Sequence, residues 1–134
     1  MLLAALLLAI YVAGGTVSLW SHLQVRQFVA ETPTIADQHC LERYKDLVRV
    51  QMYVALFIIG LLGTGALVGM VLVSRYGCIA FLFVMAGSVC LIASSLFMRT
   101  WEVRARSLAA GSEALAVEYR RVSEAWVKKP LPDF

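Results

Sequence analysis

The sequence predicts an all-α integral membrane protein: three long helices, up-down-up, each spanning the bilayer, with helical extensions forming a stalk on one side. Three observations predict it. Of the 134 residues, 60% are hydrophobic and 16% charged, with mean hydropathy +0.76, against about half and roughly a quarter in a soluble domain. No Lys, Arg, Asp or Glu occurs over residues 1–25, 50–74 or 76–98, and a helix needs about 20 apolar residues to cross the hydrocarbon core. In lipid the backbone must satisfy its own hydrogen bonds, so runs of this length become helices. The same composition excludes a disordered chain, a collagen and a disulfide-stapled secreted scaffold, since three cysteines and abundant aliphatics fit none of them. The length is that of one domain.

The spans are placed at about 2–22, 51–74 and 78–98. The first has a rival reading, because Met1–Ile10 could be the core of a cleaved signal peptide. No basic residue precedes it and no small-x-small cleavage site leads into a soluble stretch, so a retained helix is expected. Orientation follows from charge. Arg75 alone lies between the second and third spans, while the other eleven basic residues and all nine acids lie on the opposite side. By the positive-inside rule that side faces the cytoplasm or its equivalent, with the N-terminus and the Arg75 turn outside. The expected location is a bacterial inner membrane or an organellar inner membrane. A net charge of +3 shared with nine acids does not indicate nucleic-acid binding.

Between Val25 and Val50 the apolar residues keep helical spacing, broken at Glu31-Thr-Pro-Thr34. Pro33 cannot continue a helix and biases Thr32 away from helical angles. The first helix is therefore expected to run to about Ala30. The second should begin near Ile35, with Thr34 as N-cap and Asp37 favouring the positive helix end. It then continues to about Ser74. This pairing puts His22 roughly opposite Tyr44, and His39 opposite Gln27. The connection Arg75-Tyr-Gly77 is short enough to force antiparallel neighbours, with Gly77 suited to a helix end. Tyr76, Trp20 and Trp101 suit membrane interfaces.

The third helix is expected to leave the membrane without interruption. Leu91, Ser94, Met98, Trp101, Ala105, Leu108, Ser112, Leu115, Tyr119, Val122 and Trp126 alternate in steps of three and four, a heptad pattern that Gly111 weakens. The helix should end before Pro130-Leu-Pro132. The stalk would comprise 23–50 and 99–127, leaving a tail at 128–134. Leu115, Tyr119, Val122 and Trp126 then reach past the second helix and would expose an apolar stripe. Such a stripe bends back, lies on the membrane with Lys128 and Lys129 near acidic lipid, or meets another chain. Another chain is expected, making these four partner-binding residues.

Membrane helices associate through close packing of small residues, because lipid is as apolar as leucine. The helix-packing candidates are Ala5, Ala9 and Ala13 on the first helix and Gly60, Gly65 and Gly69 on the second, with Gly87 and Ser94 on the third. They serve either the packing of this chain's helices or a face for another subunit.

Motifs of chemistry are sparse. No ionisable side chain lies inside a span, which counts against proton relays, ion-coupled transport and voltage sensing. His22 and His39 read as interface and surface residues, offset too far to share a metal. Cys40, Cys78 and Cys90 form no Cys-x-x-Cys pair and read as small packing residues. Glu42 and Asp46 beside Arg43, Lys45 and Arg49 read as a solvated helix face. No nucleotide-binding loop or nucleophile elbow occurs. Neither an enzyme nor a small-molecule substrate, metal or cofactor is expected.

Residues 40–127 carry a short-linked apolar hairpin followed by Trp101-Glu-Val-Arg104, Ala114-Leu115 and Glu118-Tyr119-Arg120-Arg121. This stretch resembles the SLATT group of bacterial two-span effector modules. The resemblance implies oligomerisation in the membrane and pore formation on a signal; the apolar helix at 1–20 departs from that group. The three-span layout with a basic tail also resembles that of some phage holins. The function expected from the residues themselves is a non-catalytic accessory or scaffold subunit packed into a larger membrane complex. A self-oligomerising pore-forming effector is the alternative, and a pigment- or quinone-binding role rests on His22 and the interface aromatics alone. The expected partners are the lipid bilayer and other membrane subunits or further copies of the chain.

Overall fold

A computed structural model of the chain describes residues 2–129 and 131; the side chains of Ser95 and Met98, Met1, Pro130 and residues 132–134 lie outside the described set. Six elements follow in order: α1 (Leu2–Glu31), β1 (Thr34–Ile35), α2 (Gln38–Tyr76), α3 (Cys78–Ala105), β2 (Ala109–Ala110) and α4 (Glu113–Lys128). Three of the helices are long and apolar enough to cross a membrane.

The first three helices pack side by side. Along α1, Ile10 meets Gly65, Gly14 meets Leu61, Ser21 meets Gln51, Phe28 meets Tyr44 and Glu31 meets Arg43, so the partner number falls as the α1 number rises. Against α3 the numbers rise together: Tyr11 with Val84 and Ser88, Gly14 with Leu91, Ser18 with Ser94. The α1–α2 pairing differs from the expected one. His22 does not reach Tyr44, because the turn is longer than Pro33 alone implied. Thr34 and Ile35 form a strand, and the N-cap is Asp37, whose carboxylate accepts the Cys40 N–H at 2.8 Å. That bond holds the Asp37 carboxyl below its ordinary value. At the other end of α2, Gly77 alone joins α2 to α3 at φ +64 and ψ −138, a conformation open to glycine.

Where continuous helix was expected over 78–127, α3 stops at Ala105 and the chain turns back. Ala109 and Ala110 pair in parallel with Thr34 and Ile35, and Gly111 N–H donates to Ile35 O at 2.8 Å. A Cβ on Gly111 would stand 3.0 Å from Ala36 O, so a side chain there would require the two connections to move apart by a few tenths of an ångström. Ser112 then caps α4 by accepting the Leu115 N–H.

The result is a compact head in place of an open stalk. Its core joins Val25 and Phe28 of α1, Ile35, Leu41, Tyr44, Leu47, Val48 and Met52 from the β1–α2 segment, Ala105, and Tyr119 and Val122 of α4. Tyr44 is the centre, with ring centroids 4.8 Å from Tyr119, 5.9 Å from Phe28 and 6.3 Å from Trp126. Its hydroxyl shares a hydrogen bond with Ser123 at 2.8 Å, and burial pushes its pKa well above the usual tyrosine range. Lys45, nearly buried, reaches Glu118 at 2.5 Å and Glu42 at 2.9 Å, tying α2 to α4. The four residues expected to meet another chain are therefore used at home. Tyr119 and Val122 are buried in this core, and Leu115 and Trp126 pack partly buried against it. Burying that stripe on α2 removes it from water without a partner.

Candidate functional site

The buried face of α1 runs Leu7, Ile10, Gly14, Ser18, Ser21, Val25 and Phe28, in steps of three and four. It is apolar or small at both ends and polar in the middle. The two serines fall where α1, α2 and α3 meet, just below the head. Ser21 donates to Gln51 Oε1, and Gln51 returns a hydrogen bond from Nε2 to the Ser21 carbonyl at 3.3 Å. Both side chains are buried, so each polar group is matched by the other and neither is left desolvated and unpaired. Ser18 Oγ lies 3.4 Å from Ser94 Oγ, while Ser94 donates to Leu91 O at 2.7 Å.

Two groups beside this cluster are less well satisfied. His22 Nδ1 is buried without a hydrogen-bond partner, and its ring stands edge-on to Trp101, centroids 6.4 Å apart. Trp101 in turn carries the Arg104 guanidinium at 4.9 Å and that of Arg26 at 5.8 Å from its centroid, a double cation–π arrangement. Glu102 is four residues beyond the charge-free stretch. Burial raises its carboxyl pKa, opposed by the positive charges of Arg106 and Arg99. With Ser18, Ser21, Gln51 and Ser94 it borders a cavity of about 240 Å³ whose remaining wall is Val54, Ala55, Ile58, Ile59 and Leu91.

This arrangement can hold helices in register and accept a small amphipathic group. Ser21 bonds to the Gln51 amide, Ser18 to Ser94, and Ser94 to the Leu91 carbonyl, which ties the three helices together at this level. Among the described residues no group of three His, Cys, Asp or Glu side chains could hold a metal ion. Glu31 and Glu42 are surface carboxylates, held below the ordinary range chiefly by hydrogen bonds from Arg43 and Lys45 respectively.

The small residues divide into two groups. Gly65 and Gly69 face the bundle: Cβ atoms there would stand 3.5 Å from Ile10 and 3.1 Å from Val84. Gly87 faces Tyr11 so closely that a Cβ would overlap the ring, whose hydroxyl donates to Val84 O at 2.9 Å and lies 3.3 Å from Ser88 Oγ. Ser94 meets Ser18. By contrast Ala5, Ala9 and Ala13 are exposed, and Gly60 and Gly63 have open space where a side chain would go. Cys78 and Cys90 are exposed instead of serving as packing residues, while Cys40 packs against the head core.

Sequence reasoning missed Tyr11, Ser18, Ser21, Gln51 and Glu102. A signal for Gln51 was present, since it continues the spacing of Tyr44, Leu47 and Val48 along the buried face of α2. Comparisons with models of known families, with curated proteins and with solved structures find no match to this chain.

Proposed function

We propose that the chain is a small integral-membrane, non-catalytic accessory or scaffold subunit. It crosses the bilayer up-down-up at about 2–22, 51–74 and 78–98, with the N-terminus outside and the head on the cytoplasmic or equivalent side. The opposed contact directions of α1 and α2, the matched directions of α1 and α3, and the gathering of charge at one end support this layout.

One observation carries the functional reading: small residues stand on outward faces that no helix of this chain covers. On α1 these are Ala5, Ala9 and Ala13; on α2 they are Gly60, Gly63 and Thr64. The outward face of α3 is bulkier, with Ile79, Phe81, Leu82, Phe83, Val89 and Ile92 exposed around the small residues Ala86, Cys90 and Ala93, while α1 and α2 also expose Leu8, Val12, Phe57 and Ile59. Bulky side chains suit lipid, whereas small ones let another helix approach closely. On this reading the Ala5–Ala13 and Gly60–Thr64 stripes receive another subunit and the bulky side chains around them meet the acyl chains. A polar pore lining is poorly supported. Thr16 and Thr64 on these faces each bond to the carbonyl four residues back.

The test is purification in mild detergent with size and composition measured together. The native chain should run in an assembly, and Ala9→Leu with Gly60→Leu should shrink it without lowering the melting temperature, since both positions have room. A lone monodisperse monomer in every mild detergent would remove the proposal. An assembly containing only this chain would favour the self-oligomerising alternative.

A further inference from the structure

The return of α4 creates a groove that neither helix would form alone. Ser112 starts α4 away from the spans, and sixteen residues later the helix ends beside α3 at the last turn of the third apolar stretch. Leu96, Arg99, Glu102 and Arg106 of the α3 side and Trp126 and Val127 of α4 enclose about 440 Å³ there. The groove is graded along its length. Leu96 and Val127 offer exposed apolar surface at the end nearest the span. Arg99 and Arg106, seven positions apart along the chain, both line the groove and supply its two guanidiniums. Arg106 is held by donating from Nε to the Glu102 carbonyl at 3.4 Å and by lying over the Trp126 ring at 5.9 Å. Lys128 at the same end of α4 is ion-paired with Glu124 at 3.0 Å, so that pair adds no net charge beside the groove.

We propose that this groove is a binding site for the phosphate headgroup of one anionic phospholipid of the head-side leaflet, the acyl chain lying along Leu96. The inference rests on the membrane layout proposed above. Charge complementarity selects the occupant. Two guanidiniums against the single Glu102 carboxyl leave one net positive charge, which matches one phosphodiester and is not matched by a zwitterionic lipid. Guanidiniums bind phosphate oxygens through paired N–H donors, and a tryptophan beside an apolar floor is the side-chain set found at the headgroup boundary. Glu102 is the opposing element: its carboxylate repels the phosphate, so removing its charge should strengthen binding.

The experiment is native mass spectrometry of the full chain released from dodecyl maltoside micelles doped with phosphatidylglycerol or phosphatidylcholine. The wild type should retain phosphatidylglycerol preferentially. Arg99→Gln and Arg106→Gln should each cut that retention about fivefold, and Glu102→Gln should raise it. Arg120→Gln, outside the groove, should leave it unchanged. Equal retention of the two lipids, or retention unaltered by both groove arginine variants, would overturn the site. Full displacement by millimolar inorganic phosphate would overturn it as a lipid site, leaving a plain anion site. Because Arg106 also stacks on Trp126, the melting temperature of each variant is read alongside; Arg99→Gln and Glu102→Gln, which touch no such stack, keep the test decisive. Extraction of the wild type from membranes by alkaline carbonate would defeat the membrane layout itself, whereas a chain that stays in the membrane yet shows no lipid preference would defeat the groove alone.

Discussion

Gly87→Ala replaces one hydrogen with a methyl group at the tightest point of the bundle. The new Cβ would stand 2.6 Å from Cδ2 and Cζ of Tyr11 and closer still to Cε2. Carbon atoms pack at about 3.5–4.0 Å, so the ring or the helix must give by about 1 Å. Overpacking of this kind costs about 1–3 kcal/mol. Swinging the ring away also strains the hydroxyl's bond to Val84 O, worth about 1 kcal/mol. Alanine recovers about 1 kcal/mol through its better helix propensity. The net expectation is a loss of about 1–3 kcal/mol. In a Tyr11→Ala background the clash and the hydrogen bond are both absent, and only the propensity gain of about 1 kcal/mol remains. The coupling between the two positions should therefore be about 2–4 kcal/mol, far above the few tenths expected of independent sites. The assay is reversible unfolding in mixed micelles of dodecyl maltoside and dodecyl sulfate, followed by circular dichroism. Gly60→Ala, at a position with open space, is the control and should be neutral or stabilising. If Gly87→Ala behaves like Gly60→Ala with Tyr11 intact, the α1–α3 contact described here is wrong.

Other outcomes follow from the same geometry. The Tyr119 hydroxyl donates to Ala105 O at 2.5 Å and accepts from Leu108 N at 3.1 Å, so Tyr119→Phe leaves two backbone groups unpaired at the α3–α4 turn. It should lower head stability by about 2 kcal/mol and speed amide exchange at Leu108; unchanged exchange there would contradict the contact. Gly77→Ala forces a Cβ into a glycine conformation at φ +64 and should cost about 1–3 kcal/mol in the micelle assay, and a neutral result would mean the α2–α3 turn is built otherwise. Burial holds the Glu102 carboxyl above its ordinary 4.5, so the native state binds that proton more tightly than the unfolded chain does. Stability should then fall as pH rises from 4.5 through the native value. Glu102→Gln should flatten that slope and leave the protein more stable above it. The lowered carboxyls of Glu31, Asp37 and Glu42 act below their ordinary values, so they do not mask the effect. An identical pH profile in the variant would refute the assignment.

Three physical features could be read from the chain alone. Charge-free runs of membrane-spanning length are a one-dimensional property, because each residue's transfer from water depends little on which helix it later touches. Helix punctuation is local as well: Pro33 ends α1, and Gly77 joins α2 to α3, through conformations that their own rings or missing side chains dictate. The periodicity of the Leu91–Trp126 pattern was legible too, and its period survives on both sides of the break, at Leu91 and Ala105 and again at Tyr119 and Val122.

What the pattern could not disclose is the direction in which its second half runs. Period is preserved when a helix is cut and its two pieces reversed, so an apolar stripe reads the same whether it extends into solvent or folds home. Gly111-Ser112-Glu113 held the local start signal for α4, but its weight depended on Tyr44 waiting to bury Tyr119. The same holds for small residues. Gly60 and Gly65 look alike in sequence, yet Ile10 approaches Gly65 while among the described residues none comes within 4 Å of a Cβ on Gly60. Which small residue is covered is a relation between two helices, set by how α1 lies on α2, and only the tertiary structure decides it. Ser21 and Gln51 make the point for polar groups. Thirty residues separate them, neither stands out alone, and their pairing exists because the turn at Thr34–Asp37 sets the register of the helices that carry them.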